Sequence, residues 1–149
     1  MKRFKFGLET LARVYLADKE QKQRALARAQ RFLGEAEDLL VRHGLDYERC
    51  QSEESLRRDK GETVVEMRLF VLYAFEIKHR IEEQKKVVVE RIKEVTRARH
   101  ALLESSRRVK ALERLKERRL NEWKKDRSRW EREFTDEVNQ QRFVRAAVS

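Results

Sequence analysis

The sequence predicts an all-α protein: two long helices forming an antiparallel coiled-coil hairpin, with a C-terminal helical overhang. Three observations predict it. Ala, Glu, Lys, Leu and Arg supply 86 of the 149 residues and proline is absent, well past the roughly 50% at which composition alone suggests long helices. Apolar residues return every seven positions, and only one stretch interrupts them. With 43% charged and 40% hydrophobic residues, the apolar side chains suffice for a stripe, not for the core that layered elements enclose.

The expected elements are a helix over about residues 4–56, a turn over about 57–62 and a second helix over about 63–145, together a single domain. In the first helix one series runs Leu8, Tyr15, Lys22, Ala29, Ala36, His43, Cys50. Its companions are Leu11, Asp18, Ala25, Phe32, Leu39 and Asp46, with Leu26, Leu33 and Leu40 broadening the stripe. Gly34 and Gly44 each cost roughly 1 kcal/mol against alanine, weakening this helix without ending it. From Ser52 to Thr63 apolar residues thin out and Asp59-Lys60-Gly61 offers a turn. Thr63-Val64-Val65-Glu66 then reads as a capping box that opens the next helix.

The second helix carries the cleaner repeat: Ala74, Ile81, Val88, Val95, Leu102, Val109, then Lys116, Trp123 and Trp130. Its partner positions are Ile77, Gln84, Arg91, Ala98, Ser105 and Leu112. A strict seven-residue step implies left-handed supercoiling against a partner helix. Polar Gln84, Arg91 and Ser105 at the seam trade stability for register.

Length then becomes informative. At 1.5 Å per residue the helices measure roughly 75 Å and 120 Å, and a turn centred near residue 60 brings residue 6 opposite residue 114 or so. Everything beyond projects without a partner, with Leu120, Trp123, Arg127, Trp130, Phe134 and Val138 along one side. Exposed aromatic stripes of this kind mark interfaces; the alternative is that they pack on Phe4, Phe6 and Leu8 or in a dimer. A second candidate surface lies near the turn, where Leu69 to Ile77 is apolar on nearly all sides, with Tyr47 expected opposite Tyr73. The alternative there is a tight hydrophobic latch holding the turn.

Several function classes fall away. Cys50 is the single cysteine, so no internal disulfide framework exists. No apolar run approaches the ~18 residues of a membrane span, and the basic start leads into an amphipathic segment; the chain is expected in the cytoplasm. His43, His79 and His100 do not supply the three or four convergent ligands of a metal site. Phosphate-cradling glycine loops are lacking, and a two-helix protein offers no water-excluding cleft. The expectation is a non-enzyme with no cofactor, no metal and no small-molecule substrate. The net charge of +10 attracts anions. Between Arg107 and Arg132 twelve Lys or Arg face five acidic residues, but the recurring acids and the missing zipper beyond argue against sequence-specific nucleic-acid recognition.

The opening Phe4-x-Phe6-x-Leu8-Glu9-x-Leu11, the length, and the short-then-long hairpin resemble the FliJ family of flagellar export proteins. So do Tyr73-x-x-x-Ile77-x-x-x-Ile81 and the late Trp123, Trp130 and Asp136-Glu137. The resemblance implies a stalk similar to the γ subunit of rotary ATPases, whose termini end sits at the hexameric export ATPase and promotes its assembly. It further implies contact with the export-gate membrane protein, escort of export chaperones, and a cytoplasmic location at the inner-membrane export apparatus. On this basis Arg118, Arg119, Trp123, Lys124, Arg127, Trp130 and Phe134 are expected at the ATPase ring, and Tyr47, Tyr73 and Ile77 at the gate. Two alternatives stay open: the equivalent stalk of a virulence injectisome, and a basic coiled-coil scaffold associated with nucleic acid.

Overall fold

Helix α1 spans Glu9–Asp59 and α2 spans Val64–Val148 in a computed structural model that describes residues 3–148. They pack antiparallel as an all-α hairpin. The turn follows from two local signals. Gly61 takes φ +88°, the left-handed conformation in which a Cβ would be strained, and the amides of Lys60 and Gly61 donate to Arg57 and Arg58 carbonyls, closing α1. The capping box then starts α2: the Glu66 amide donates to Thr63 Oγ1 at 3.3 Å and the Thr63 amide to Glu66 Oε2 at 3.0 Å.

Two compact units make up the chain, Glu20–Leu103 and Met1–Lys19 with Glu104–Ser149. In the turn-bearing unit α2 faces α1 through its seven-residue series. Ile77 and Val95 are buried, and Ala74, Ile81, Gln84, Val88, Arg91 and Ala98 half-buried. Each fully buried Ile or Val side chain contributes about 1.5–3 kcal/mol. The polar seam residues find partners across the interface. Gln84 Nε2 donates to the Ala36 carbonyl at 2.9 Å, and the Arg91 guanidinium lies 5.2 Å from the Phe32 ring centroid.

On α1 the expected companion row is only partly used. Its Asp18 and Phe32 are half-buried, as are Leu26, Leu33 and Leu40, the residues expected to broaden the stripe, and Tyr47, whereas Leu11, Ala25, Leu39 and Asp46 are exposed. The contact is therefore shared between the two rows, the wide stripe that the spread of apolar residues implies.

In the unit that holds both ends, Ser105 and Val109 are buried on α2 and Phe6 is buried ahead of α1. Ser105 Oγ donates to Asp18 Oδ2 at 2.7 Å, and Lys116 Nζ pairs with Glu9 at 2.9 Å. Residues 3–6 carry no regular secondary structure and Gly7-Leu8 form a turn, where helix was expected from about residue 4. This extended lead-in reaches further along α2 than the expected register. Phe6 lies under Lys116 and Arg119, at 5.8 and 5.9 Å from its ring, and Phe4 lies beside Trp123.

Candidate protein-interaction surfaces

Beyond Asp126 every described residue of α2 is exposed except half-buried Val138. Trp130 and Phe134, one helical turn apart, stack with ring centroids 5.5 Å apart at 16° and remain 47% and 54% exposed. Burying such rings against a partner is the largest apolar gain this end of the molecule offers.

Trp123 differs from that pair, and the expected bare stripe is corrected here. Its ring is half-buried, 6.0 Å from Phe4 at 54°, and the Arg127 guanidinium lies 5.6 Å from its centroid. Arg127 also donates to Glu131 at 2.7 Å. Among the described residues Trp123 is the last position that the N-terminal lead-in half-buries, and the alternating Phe4-x-Phe6 was the signal for it: period two is extended chain.

The basic residues expected alongside do not share one face. Counting about 100° per residue, Arg119, Trp123, Arg127, Trp130 and Phe134 fall on one side of α2. Arg118 points to the opposite side, and Lys124 lies between. A single flat partner reaches the aromatic face without Arg118; a partner that encloses the helix reaches all seven.

Around the turn, apolar side chains stand in the open. Leu56, Val64, Val65, Leu69, Val71, Leu72, Tyr73 and Phe75 are each more than half exposed. They form no latch, because α1 covers only the Phe70, Ala74 and Ile77 side of α2. Of the three residues expected here, Tyr73 is 53% exposed, and Ile77 at 2% is the most deeply buried side chain of the molecule's described part. Tyr47 has two polar neighbours. It accepts a hydrogen bond from Gln51 at 2.9 Å and carries Lys78 at 5.3 Å from its ring. Tyr73 borders a small hollow with Arg57, Leu69 and Phe70. The pairing register near the turn is offset by a few residues from that of a turn centred on residue 60.

No group of three or more His, Cys, Asp or Glu is placed to hold a metal ion among the described residues, and no helix there is long and apolar enough to cross a membrane. Cys50 is buried in the seam, and its thiol is pushed up by desolvation and then by Glu54 and Glu53.

No curated relative matches the sequence. Among solved structures the fold is shared with a putative YscO homolog, CT670, from Chlamydia trachomatis, at TM-score 0.73 and 19% identity over 93% of this chain and 94% of that one. The family model described as "Flagellar FliJ protein" matches residues 4–147, and over nearly its whole length the chain therefore belongs to the FliJ family.

Proposed function

We propose that this chain is a non-catalytic, stalk-like component of flagellar type III protein export, acting in the cytoplasm at the inner-membrane export apparatus. In this reading the end of α2 binds a hexameric export ATPase and promotes its assembly and turnover. Trp130 and Phe134 supply apolar grip and Trp123 is the covered base of the same face. Arg118, Arg119, Lys124 and Arg127 meet acidic loops around the helix. Near the turn, Tyr73 contacts the export-gate protein, with Tyr47 on α1 as a further contact and Ile77 as the buried support beneath Tyr73. Export chaperones are further partners.

The observation that carries the proposal is the half-exposed, stacked Trp130–Phe134 pair on a helix that continues past its own partner segment. The family match supplies the export setting. The test replaces both rings, Trp130→Ala with Phe134→Ala, and measures hexamer yield and ATPase turnover on mixing with the export ATPase. A loss of affinity of tenfold or more is expected, since truncated aromatic hot spots commonly cost above ~1.4 kcal/mol. Unchanged yield and turnover would remove this face from the reading. The equivalent stalk of an injectisome is the second reading, favoured by the fold shared with the YscO homolog; genes for flagellar or injectisome parts beside this one separate the two.

A further inference from the structure

The side of α2 turned away from the aromatic face carries a line of cations. Arg107, Arg114, Arg118, Lys125, Arg129 and Arg132 all fall within about 40° of one line along the helix and span about 38 Å. Each is exposed. Over residues 76–94 of α2 most charges are neutralised locally: Arg80 with Glu76, Lys85 with Glu82, Lys86 with Glu83, Arg91 with Glu94 and Lys93 with Glu90 all pair within a helical turn. None of the six cations in the line has an ion pair or hydrogen bond among the described residues. Like charges instead sit one turn apart, Arg114 before Arg118 and Lys125 before Arg129. That arrangement works against an isolated helix, and an external anion would relieve it.

The shape of the line selects the anion. Acidic Glu122, Asp126 and Glu133 flank one edge and Asp136 closes the end. A helix lodged in a nucleic-acid groove meets phosphates on both flanks, so these carboxylates would face them. Base stacking needs aromatic rings, and here the rings are on the far side. A plane touches only the narrow line and engages all six cations together. Between Arg107 and Arg132 the methyl of Ala111 is the one apolar side chain on the line, so contact is by charge and without insertion.

We propose that this basic line docks α2 flat against an anionic lipid surface. Phosphate headgroups provide the counter-charge, and the aromatic face is left turned away from the membrane. The proposal stands independently of the ATPase reading. Where both hold, a helix enclosed by a ring cannot also lie on a bilayer, and the two states alternate.

The test is flotation of the full-length protein with vesicles of phosphatidylcholine alone or with 30% phosphatidylglycerol, at low and physiological salt. Binding is expected only to the anionic vesicles and weakens with salt, because exposed charges are screened beyond about 8 Å at 0.15 M. The variant Arg114→Gln/Lys125→Gln/Arg129→Gln/Arg132→Gln avoids every residue assigned to the ring. Each cation at such a surface is worth roughly fivefold in partitioning, so the variant loses more than a hundredfold. A control with the same net charge, Arg24→Gln/Arg28→Gln/Arg31→Gln/Arg42→Gln, retains binding within a few-fold. Circular dichroism checks that both variants keep their helices. Equal losses in the two variants, or equal binding to neutral vesicles, would overturn the proposal. It is overturned too if duplex DNA or poly-glutamate strips the protein from vesicles at matched charge concentration, the first result marking a nucleic-acid surface and the second a protein one. Release by inorganic phosphate at that concentration would mean a free-phosphate site in place of a lipid surface.

Discussion

Ser105 occupies a seam position that heptad packing gives to apolar side chains, and its hydroxyl donates to Asp18 at 2.7 Å. A hydroxyl buried to 3% exposure would carry a desolvation cost without that acceptor. Ser105→Ala takes this donor from the half-buried Asp18 carboxylate and is expected to lower stability by about 1–2 kcal/mol, and Asp18→Ala to couple with it in a double-mutant cycle of thermal unfolding. Additivity of the two would show the bond to be energetically silent. Gly34 and Gly44 predict the reverse sign. Both are helical, and a Cβ at either meets nothing within 4 Å. Alanine at each should raise stability by roughly 0.5–1 kcal/mol, seen as a higher melting temperature. Gly61→Ala, at φ +88°, should lower it.

Residue identity was legible in the sequence where the chemistry is local. The capping box at Thr63 and Glu66 and the turn at Gly61 need only neighbours a few positions away. The depth of Ile77 was legible as a seam position, but not that its burial leaves Tyr73 as the accessible member of the pair. Ile77→Ala opens a cavity and should cost about 2–5 kcal/mol, so loss of export in that variant would report folding. Tyr73→Ala leaves the seam intact and is the variant that separates contact from stability: motility lost with unfolding temperature unchanged supports a contact, and normal motility removes it. Cys50 gives a readout of the same seam. Its thiol is held above the usual thiol range, chiefly by burial, so the reactive thiolate is depleted. A thiol reagent near neutral pH should label it slowly in the folded protein and at once after denaturation.

Among the elements, α2 conforms most closely to its pattern. All its buried residues, Ile77, Val95, Ser105 and Val109, are heptad positions. α1 was less legible. Its apolar residues spread over both Leu11-type and Leu26-type positions, and periodicity alone could not decide which row faces the partner. Packing uses both, with Asp18 and Phe32 half-buried beside Leu26, Leu33 and Leu40. The outer face of α2 is laced by charge pairs whose strength depends on pH. Lys86 and Lys93 hold the Glu83 and Glu90 carboxyls below the usual carboxylate range, through a hydrogen bond first and charge second. That support is fully present above the ordinary carboxylate pKa and is lost as the pH falls through the lowered values. Acid titration should reduce thermal stability across that window, and Glu83→Gln with Glu90→Gln should flatten the dependence. A titration unchanged by the two substitutions would assign the acid sensitivity to other groups.

For the whole molecule, unequal helices were expected from arithmetic on the turn position, and α2 does run on past the last residue that the N-terminal segment covers. The expected boundary came too early. Arithmetic from a turn treats both strands of the hairpin as helix at 1.5 Å per residue. The extended lead-in through Phe4 and Phe6 advances about twice as far per residue and carries cover up to Trp123. The exposed aromatic face therefore begins at Trp130, and the case for a ring-binding end rests on Trp130 and Phe134 more than on Trp123. Both proposed contact regions carry apolar side chains that the two-helix fold leaves exposed, which is why composition alone pointed to partners and not to chemistry.

The most direct test places a photo-cross-linking amino acid at Phe134 in the native cell, with a second at outward-facing Val89 as control. A Phe134 adduct with the export ATPase and none at Val89 is the expected result. An adduct from Phe134 only to a second copy of this chain, or to no protein at all, would contradict it.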